Sequence, residues 1–178
     1  QADERLALAR RECYWDALER HHQGFGGTIV QRLGDGSMSM FPSSLAAVQA
    51  AVATQQELAA QDVLARIGVH AGEVIVEPER LTGDAVNVAA RIESFAEAGA
   101  VLVSDAVFEQ IKNQTDVMLV ALGRFRLKNV GRPFELYAVS DDHIVVPDPS
   151  ALDGKGERFA TLPGNLPAPS APLVGRED

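Results

Sequence analysis

The residues best suited to chemistry fall in three short stretches. The first is Val30-Gln31-Arg32-Leu33-Gly34-Asp35-Gly36, whose Gly34-Asp35-Gly36 segment joins two strand-like runs, Thr28 to Leu33 and Ser37 to Phe41. That arrangement predicts a tight hairpin with Asp35 at its tip. A carboxylate on a glycine-flanked tip suits a hard cation such as Mg²⁺, although aspartate and glycine also satisfy plain turn chemistry. The second stretch is Gly83-Asp84-Ala85-Val86-Asn87-Val88-Ala89-Ala90-Arg91. Asn87 and Arg91 are spaced i, i+4 and share one helical face near a helix N-terminus. An amide and a guanidinium there suit a ribose and a phosphate; the other reading is an exposed Asn and an Arg paired with a carboxylate. Asp84 serves the helix start. The third is Lys128, which opens the turn Lys128-Asn129-Val130-Gly131-Arg132-Pro133 and either meets a phosphate or is a surface lysine.

The elements that must hold these residues follow from periodicity. Leu6, Ala9, Cys13 and Ala17 recur at helical spacing, which predicts a helix over about 2–22 ended by Gly24, Gly26 and Gly27. Ser43 or Ser44 caps a second helix running to about Ala60. Val63 to Val76 is strand-like, with Gly68 and Ala71-Gly72 as kinks or bulges. A helix over Asp84–Phe95, a short strand at Val101–Val103, and a short helix at Asp105–Lys112 come next. Three strands close the pattern, near Val117–Leu122, Phe125–Lys128 and Phe134–Val139. The alternation predicts α/β or α+β layering, with helices packed on one sheet. His21 and His22 are expected to face solvent, His70 to pack within a strand, and Cys13 and Trp15 to be core or interface residues.

Composition bounds the function. The chain has 178 residues, with 16 Lys and Arg against 25 Asp and Glu, a formal charge of −9. That balance argues against a general nucleic-acid binder, which needs clustered cations. Apolar residues make up 46%, as in a globular domain. No apolar run reaches the ~20 residues of a membrane helix, and the single Cys13 can make neither an internal disulfide nor a cysteine-rich zinc site. A cytoplasmic setting is expected. Six of the nine prolines lie at or after Pro147, so residues 1–140 are expected to be the packed domain and 141–178 a Pro-rich linker or tail.

Taken together, these segments resemble the class III nucleotidyl cyclase catalytic domain over about residues 3–140. The most specific parts are Leu33-Gly34-Asp35-Gly36, Ile67-Gly68-Val69-His70-Ala71-Gly72-Glu73, the Gly83 to Arg91 stretch, and Leu127-Lys128 followed by Phe134-Glu135-Leu136-Tyr137-Ala138-Val139. The resemblance implies an α+β fold, a ferredoxin-like α/β sandwich. It implies conversion of a nucleoside triphosphate to a 3′,5′-cyclic nucleotide and pyrophosphate with two Mg²⁺ or Mn²⁺ ions, ATP being favoured over GTP. By position, Asp35 matches one of two metal carboxylates, Asn87 the residue that orients the ribose, Arg91 the one at the transferring phosphate, and Lys128 a triphosphate lysine. A homodimer with shared active sites is implied.

Three departures from the family pattern stand out. The other metal Asp lies in a first strand that precedes the first helix, and this chain starts after it. Little turnover is therefore expected of the chain alone. Gln31 stands where a Lys helps recognise adenine. Arg80 stands where adenylyl cyclases carry Asp or Thr, and a guanidinium cannot accept from the adenine amino group. These departures favour an alternative: a non-catalytic cyclase-like module that dimerises and regulates an attached ATPase or transcription-regulator region. The family's first strand lies mid-sheet beside the hairpin, so something is expected to fill that position: an upstream segment, another protomer or the tail. In the tail, Leu162-Pro163-Gly164-Asn165-Leu166-Pro167 and Leu173-Val174-Gly175-Arg176-Glu177-Asp178 resemble the lead-in to a signal-transduction ATPase module.

Overall fold

The computed structural model describes residues 2–77 and 80–159. Elements run α1 (Ala2–Gly24), β1 (Thr28–Leu33), β2 (Gly36–Met40), α2 (Ser44–Ala59), β3 (Ile67–Val69), β4 (Ile75–Glu77), β5 (Arg80–Thr82), α3 (Asp84–Phe95), β6 (Val101–Ser104), α4 (Asp105–Ile111), β7 (Met118–Arg126) and β8 (Pro133–Ser140), then a 3-10 turn at Pro149–Leu152 and β9 (Glu157–Phe159). This is the α+β arrangement that the sequence implies.

Local chemistry sets the boundaries. Gly26 takes φ +71° beyond the end of α1, a left-handed conformation that stops the helix. Ser43 caps α2, its Oγ accepting from the Ala46 N–H at 3.2 Å. β1 and β2 pair up to Leu33↔Gly36, which leaves a two-residue turn at Gly34-Asp35, with Gly34 at φ +65°.

A five-stranded sheet, in the order β3-β6-β8-β7-β9, carries the core. Alternation along its strands divides that core in two. Val101, Val103, Tyr137 and Val139 face one side and join Val48 and Ala51 of α2 and Val107 and Ile111 of α4. Leu102, Leu136 and Ala138 face the other side and join Val88, Ile92 and Phe95 of α3. Helices therefore cover both faces of this sheet. β3 and β6 are parallel, so the chain between them must cross over, and α3 makes that crossing.

The structure departs from the sequence reading in several places. The Val63–Val76 run is not one strand: it yields β3 and β4, and a β4–β5 hairpin goes unforeseen. His70 sits in the loop after β3 rather than in a strand. The expected strands near Val117–Leu122 and Phe125–Lys128 are one strand, β7, kinked by a bulge between Ala121 and Gly123. His22 is buried, not solvent-facing, and packs against Phe41 with ring centroids 4.9 Å apart. β1 and β2 form a separate two-stranded sheet, and among the described residues no strand fills the expected position beside them. The tail does not supply one there either, because β9 joins the opposite edge of the sheet, beside β7. Packing thus continues past residue 140, with Ile144 and Leu152 buried. The ATPase-like stretch from Leu162 onward lies outside the described residues.

Candidate active site

α1 anchors the hairpin that carries Asp35. Arg32 pairs with Glu19 and lies 4.3 Å over the Trp15 ring, and the Tyr14 hydroxyl lies 3.5 Å from Ser37 Oγ. Burial pushes the Tyr14 phenol above its usual pKa; the Ser37 contact opposes this, and the Asp35 carboxylate adds to it. Asp35 itself is exposed on the turn, and among the described residues no Lys, Arg or His pairs with it. A free carboxylate on an exposed turn fits a hard cation. Among the described residues, no cluster of three or more His, Cys, Asp or Glu side chains closes a complete metal shell.

Gln31 sits on β1 just past a bulge between Ile29 and Gln31. It lines a groove of about 530 Å³ with Glu19, His22 and Arg32. β1 approaches β5, whose first residue is Arg80. Arg80 is exposed.

α3 carries the other pair. Gly83 precedes it at φ +129°, and a Cβ there would lie 3.2 Å from the Glu73 carbonyl oxygen, so glycine is required. Val88, Ile92 and Phe95 bury one side of α3, while Asn87 is exposed and Arg91 half-buried. Gly68 brings β3 so close to α3 that a Cβ on it would lie 2.3 Å from the Glu93 nitrogen. The helix cannot slide along the sheet without breaking this contact. Among the described residues, neither Asn87 nor Arg91 makes a side-chain hydrogen bond, and Arg91 has no carboxylate partner.

Lys128 is exposed in the loop between β7 and β8. The far end of that loop is clamped. Arg132 Nη1 donates to Asp105 Oδ2 at 2.9 Å, and its guanidinium lies 3.8 Å over the Phe134 ring. Phe134 meets His70 edge-on at 5.6 Å, and His70 Nδ1 lies 2.8 Å from Ser104 Oγ. Burial lowers the His70 pKa; Asp105 opposes that shift and Arg132 adds to it. Sequence reasoning missed this Arg132–Phe134–His70–Ser104 chain. Its one local signal is the Ser104-Asp105 helix-start pair.

The structure thus brings Asn87 and Arg91 together on one helix and brings the strands of Gln31 and Arg80 near one another. Asp35 forms no hydrogen bond or ion pair with any of these residues or with Lys128, among the described residues. Among the described residues, no helix is long and apolar enough to cross a membrane.

Comparison with known proteins completes the picture. The family model "Adenylate and Guanylate cyclase catalytic domain" matches residues 37–141. "Putative adenylate cyclase 3" of Rhizobium meliloti is 37% identical over 143 residues, 76% of this chain but 24% of that protein. The chain therefore spans about a quarter of that relative's length. The solved adenylate/guanylate cyclase/hydrolase from Silicibacter pomeroyi superposes with a TM-score of 0.65 at 33% identity, covering 78% of this chain and 85% of that one. The adenylyl cyclase CyaB from P. aeruginosa gives 0.61 at 25% identity, covering 76% and 82%.

Proposed function

The chain belongs to the adenylate and guanylate cyclase catalytic-domain family, and from that premise we propose that it serves a nucleotidyl cyclase converting ATP to 3′,5′-cyclic AMP and pyrophosphate. In that reaction the ribose 3′ oxygen attacks the α-phosphorus, and the bond from that phosphorus to the bridging oxygen of the β-phosphate breaks. Pyrophosphate leaves with the electron pair, and the 3′ hydroxyl proton passes to solvent.

The observation that carries this reading is the pairing of Asn87 and Arg91, one turn apart on α3, exposed to different degrees and free of carboxylate partners among the described residues. The Asn87 amide orients the ribose. Arg91 offers a planar fork of donors to charge that develops on the transferring phosphoryl group. Lys128 neutralises the distal phosphates, and Gln31 and Arg80 face the base. Asp35 would hold a Mg²⁺ or Mn²⁺ ion, which when bound supplies charge neutralisation and a more acidic 3′ hydroxyl. Asp35 makes no hydrogen bond or ion pair with Asn87, Arg91 or Lys128 among the described residues, and in this reading a second copy of the chain completes each site, giving a homodimer with two equivalent sites.

The test is cyclic-nucleotide formation by the intact protein with Mn²⁺ and either ATP or GTP. Product formation that falls at least 100-fold in Arg91→Ala and is lost in Asp35→Ala supports the proposal. Folded dimers that bind nucleotide but form no product with either base refute it and leave a non-catalytic, regulatory module.

A further inference from the structure

The family match ends at residue 141, yet the chain goes on to fold over the C-terminal end of α3. The Val145 N–H donates to the Gly99 carbonyl at 3.0 Å. Leu152 is fully buried in the core cluster that holds Ile92 and Phe95. A Cβ on Gly156 would lie 2.5 Å from the Phe95 ring, so the backbone itself presses against that side chain. Beside it, Lys155 Nζ donates to the carbonyls of Phe95 at 3.0 Å and Ala96 at 3.3 Å. β9 then fastens the strap to β7.

The last carbonyls of a helix lack partners within it and carry partial negative charge. α3 has no basic residue in its own last turn. Lys155 supplies that missing cation from a distant part of the sequence. Arg91 precedes Phe95 by one turn on the same helix, so whatever fixes Phe95 also fixes the direction from which Arg91 approaches its target.

We propose that Lys155 is a positioning residue for the site: with its strap it pins the C-terminal end of α3 and sets the presentation of Arg91 and Asn87. The proposal rests on the reading of those two residues as reaction groups. Misplacement by a fraction of an ångström costs rate before it costs binding, because Arg91 acts on charge that exists only in the transition state.

The test uses the intact protein and the variants Lys155→Ala and Lys155→Arg, with Mn²⁺-ATP turnover and amide hydrogen exchange read on the same samples. Lys155→Ala lowers kcat about 3- to 10-fold while KM stays within about two-fold. It also speeds exchange at the C-terminal end of α3 alone, and Lys155→Arg, which can donate to both carbonyls, restores both properties. An unchanged kcat, a loss confined to KM, or a loss that arginine does not restore overturns the proposal. So does faster exchange across the whole domain, which marks general destabilisation. If the unaltered protein binds Mn²⁺-ATP without cyclising it, the functional reading fails on its own. Exchange then decides the strap's part: local acceleration in Lys155→Ala reversed by arginine supports the hold on α3, and its absence overturns it.

Discussion

Ser104 Oγ lies 2.8 Å from His70 Nδ1 and also accepts from the Val107 N–H at 3.4 Å. One hydroxyl thus caps α4 and ties down the loop after β3. Ser104 is completely buried, so no bulk water stands ready to replace it. Ser104→Ala removes the cap and strips His70 Nδ1 of its partner. The expected loss is about 2–3 kcal/mol in urea unfolding, the sum of a lost cap and a partly buried unmet ring nitrogen. A change under about 0.5 kcal/mol would mean that the hydroxyl does neither job.

Two histidines link stability to pH. Burial holds both His22 and His70 below the ordinary histidine value of 6.5. At His22 the nearby Leu18 backbone opposes the shift and His21 adds to it; at His70 Asp105 opposes it and Arg132 adds to it. As pH falls below 6.5, the unfolded chain takes up protons that the folded chain refuses. The unfolded state therefore binds more protons, and stability falls from that pH down through the depressed folded-state values. The urea midpoint should be lower at about pH 5.5 than at about pH 7.5. The double variant His22→Gln, His70→Gln should show a smaller difference between the two; an undiminished one would remove these histidines as the cause.

The close approach of α3 and β3 at Gly68 supplies a third prediction. A Cβ on Gly68 would lie 2.3 Å from the Glu93 nitrogen and 2.8 Å from the Ala89 carbonyl oxygen, both backbone atoms that cannot rotate away. Gly68→Ala must push α3 off β3, at a cost of about 1–3 kcal/mol or more. Under the proposed function, turnover should fall further than stability accounts for, because α3 carries Asn87 and Arg91. Wild-type stability and turnover in Gly68→Ala would show that the gap can widen freely.

What was legible in the sequence was what local chemistry decides. The turn at Gly34-Asp35, the Ser43 cap and the start of α3 after Gly83 each depend on a few adjacent residues, and the structure has them where the sequence implies. Features set by distant partners were not legible. The two strands expected near Val117–Leu122 and Phe125–Lys128 join into one, with a bulge at Gly123, because β8 pairs along β7 on both sides of it. His22 reads as a polar helix end but is enclosed by Phe41, which comes 19 residues later in the chain. The strap after residue 141 has no periodicity, since it is held by single contacts at Ile144, Leu152 and Lys155 rather than by a repeating face. The same divide runs through the candidate site. Asp35, Asn87, Arg91 and Lys128 are visible as residue types at telling spacings, whereas the clamp on the Lys128 loop needs Arg132 to meet Asp105, 27 residues away.

Base choice gives the last prediction. Arg80 is exposed on β5, which approaches the strand of Gln31. A guanidinium donates only, so it can serve the guanine carbonyl oxygen but not the adenine amino group, whereas Gln31 can donate and accept. If the two residues face the base, Arg80→Thr supplies the missing acceptor and removes a donor. The ratio of kcat/KM for ATP over GTP should then rise, by about 10-fold for one hydrogen bond gained and one lost. Because Arg80 makes no ion pair among the described residues, the substitution should leave the urea midpoint unchanged, which separates selectivity from folding. An unaltered ratio, with turnover intact for both nucleotides, would place Arg80 away from the base and leave Gln31 as the residue to vary.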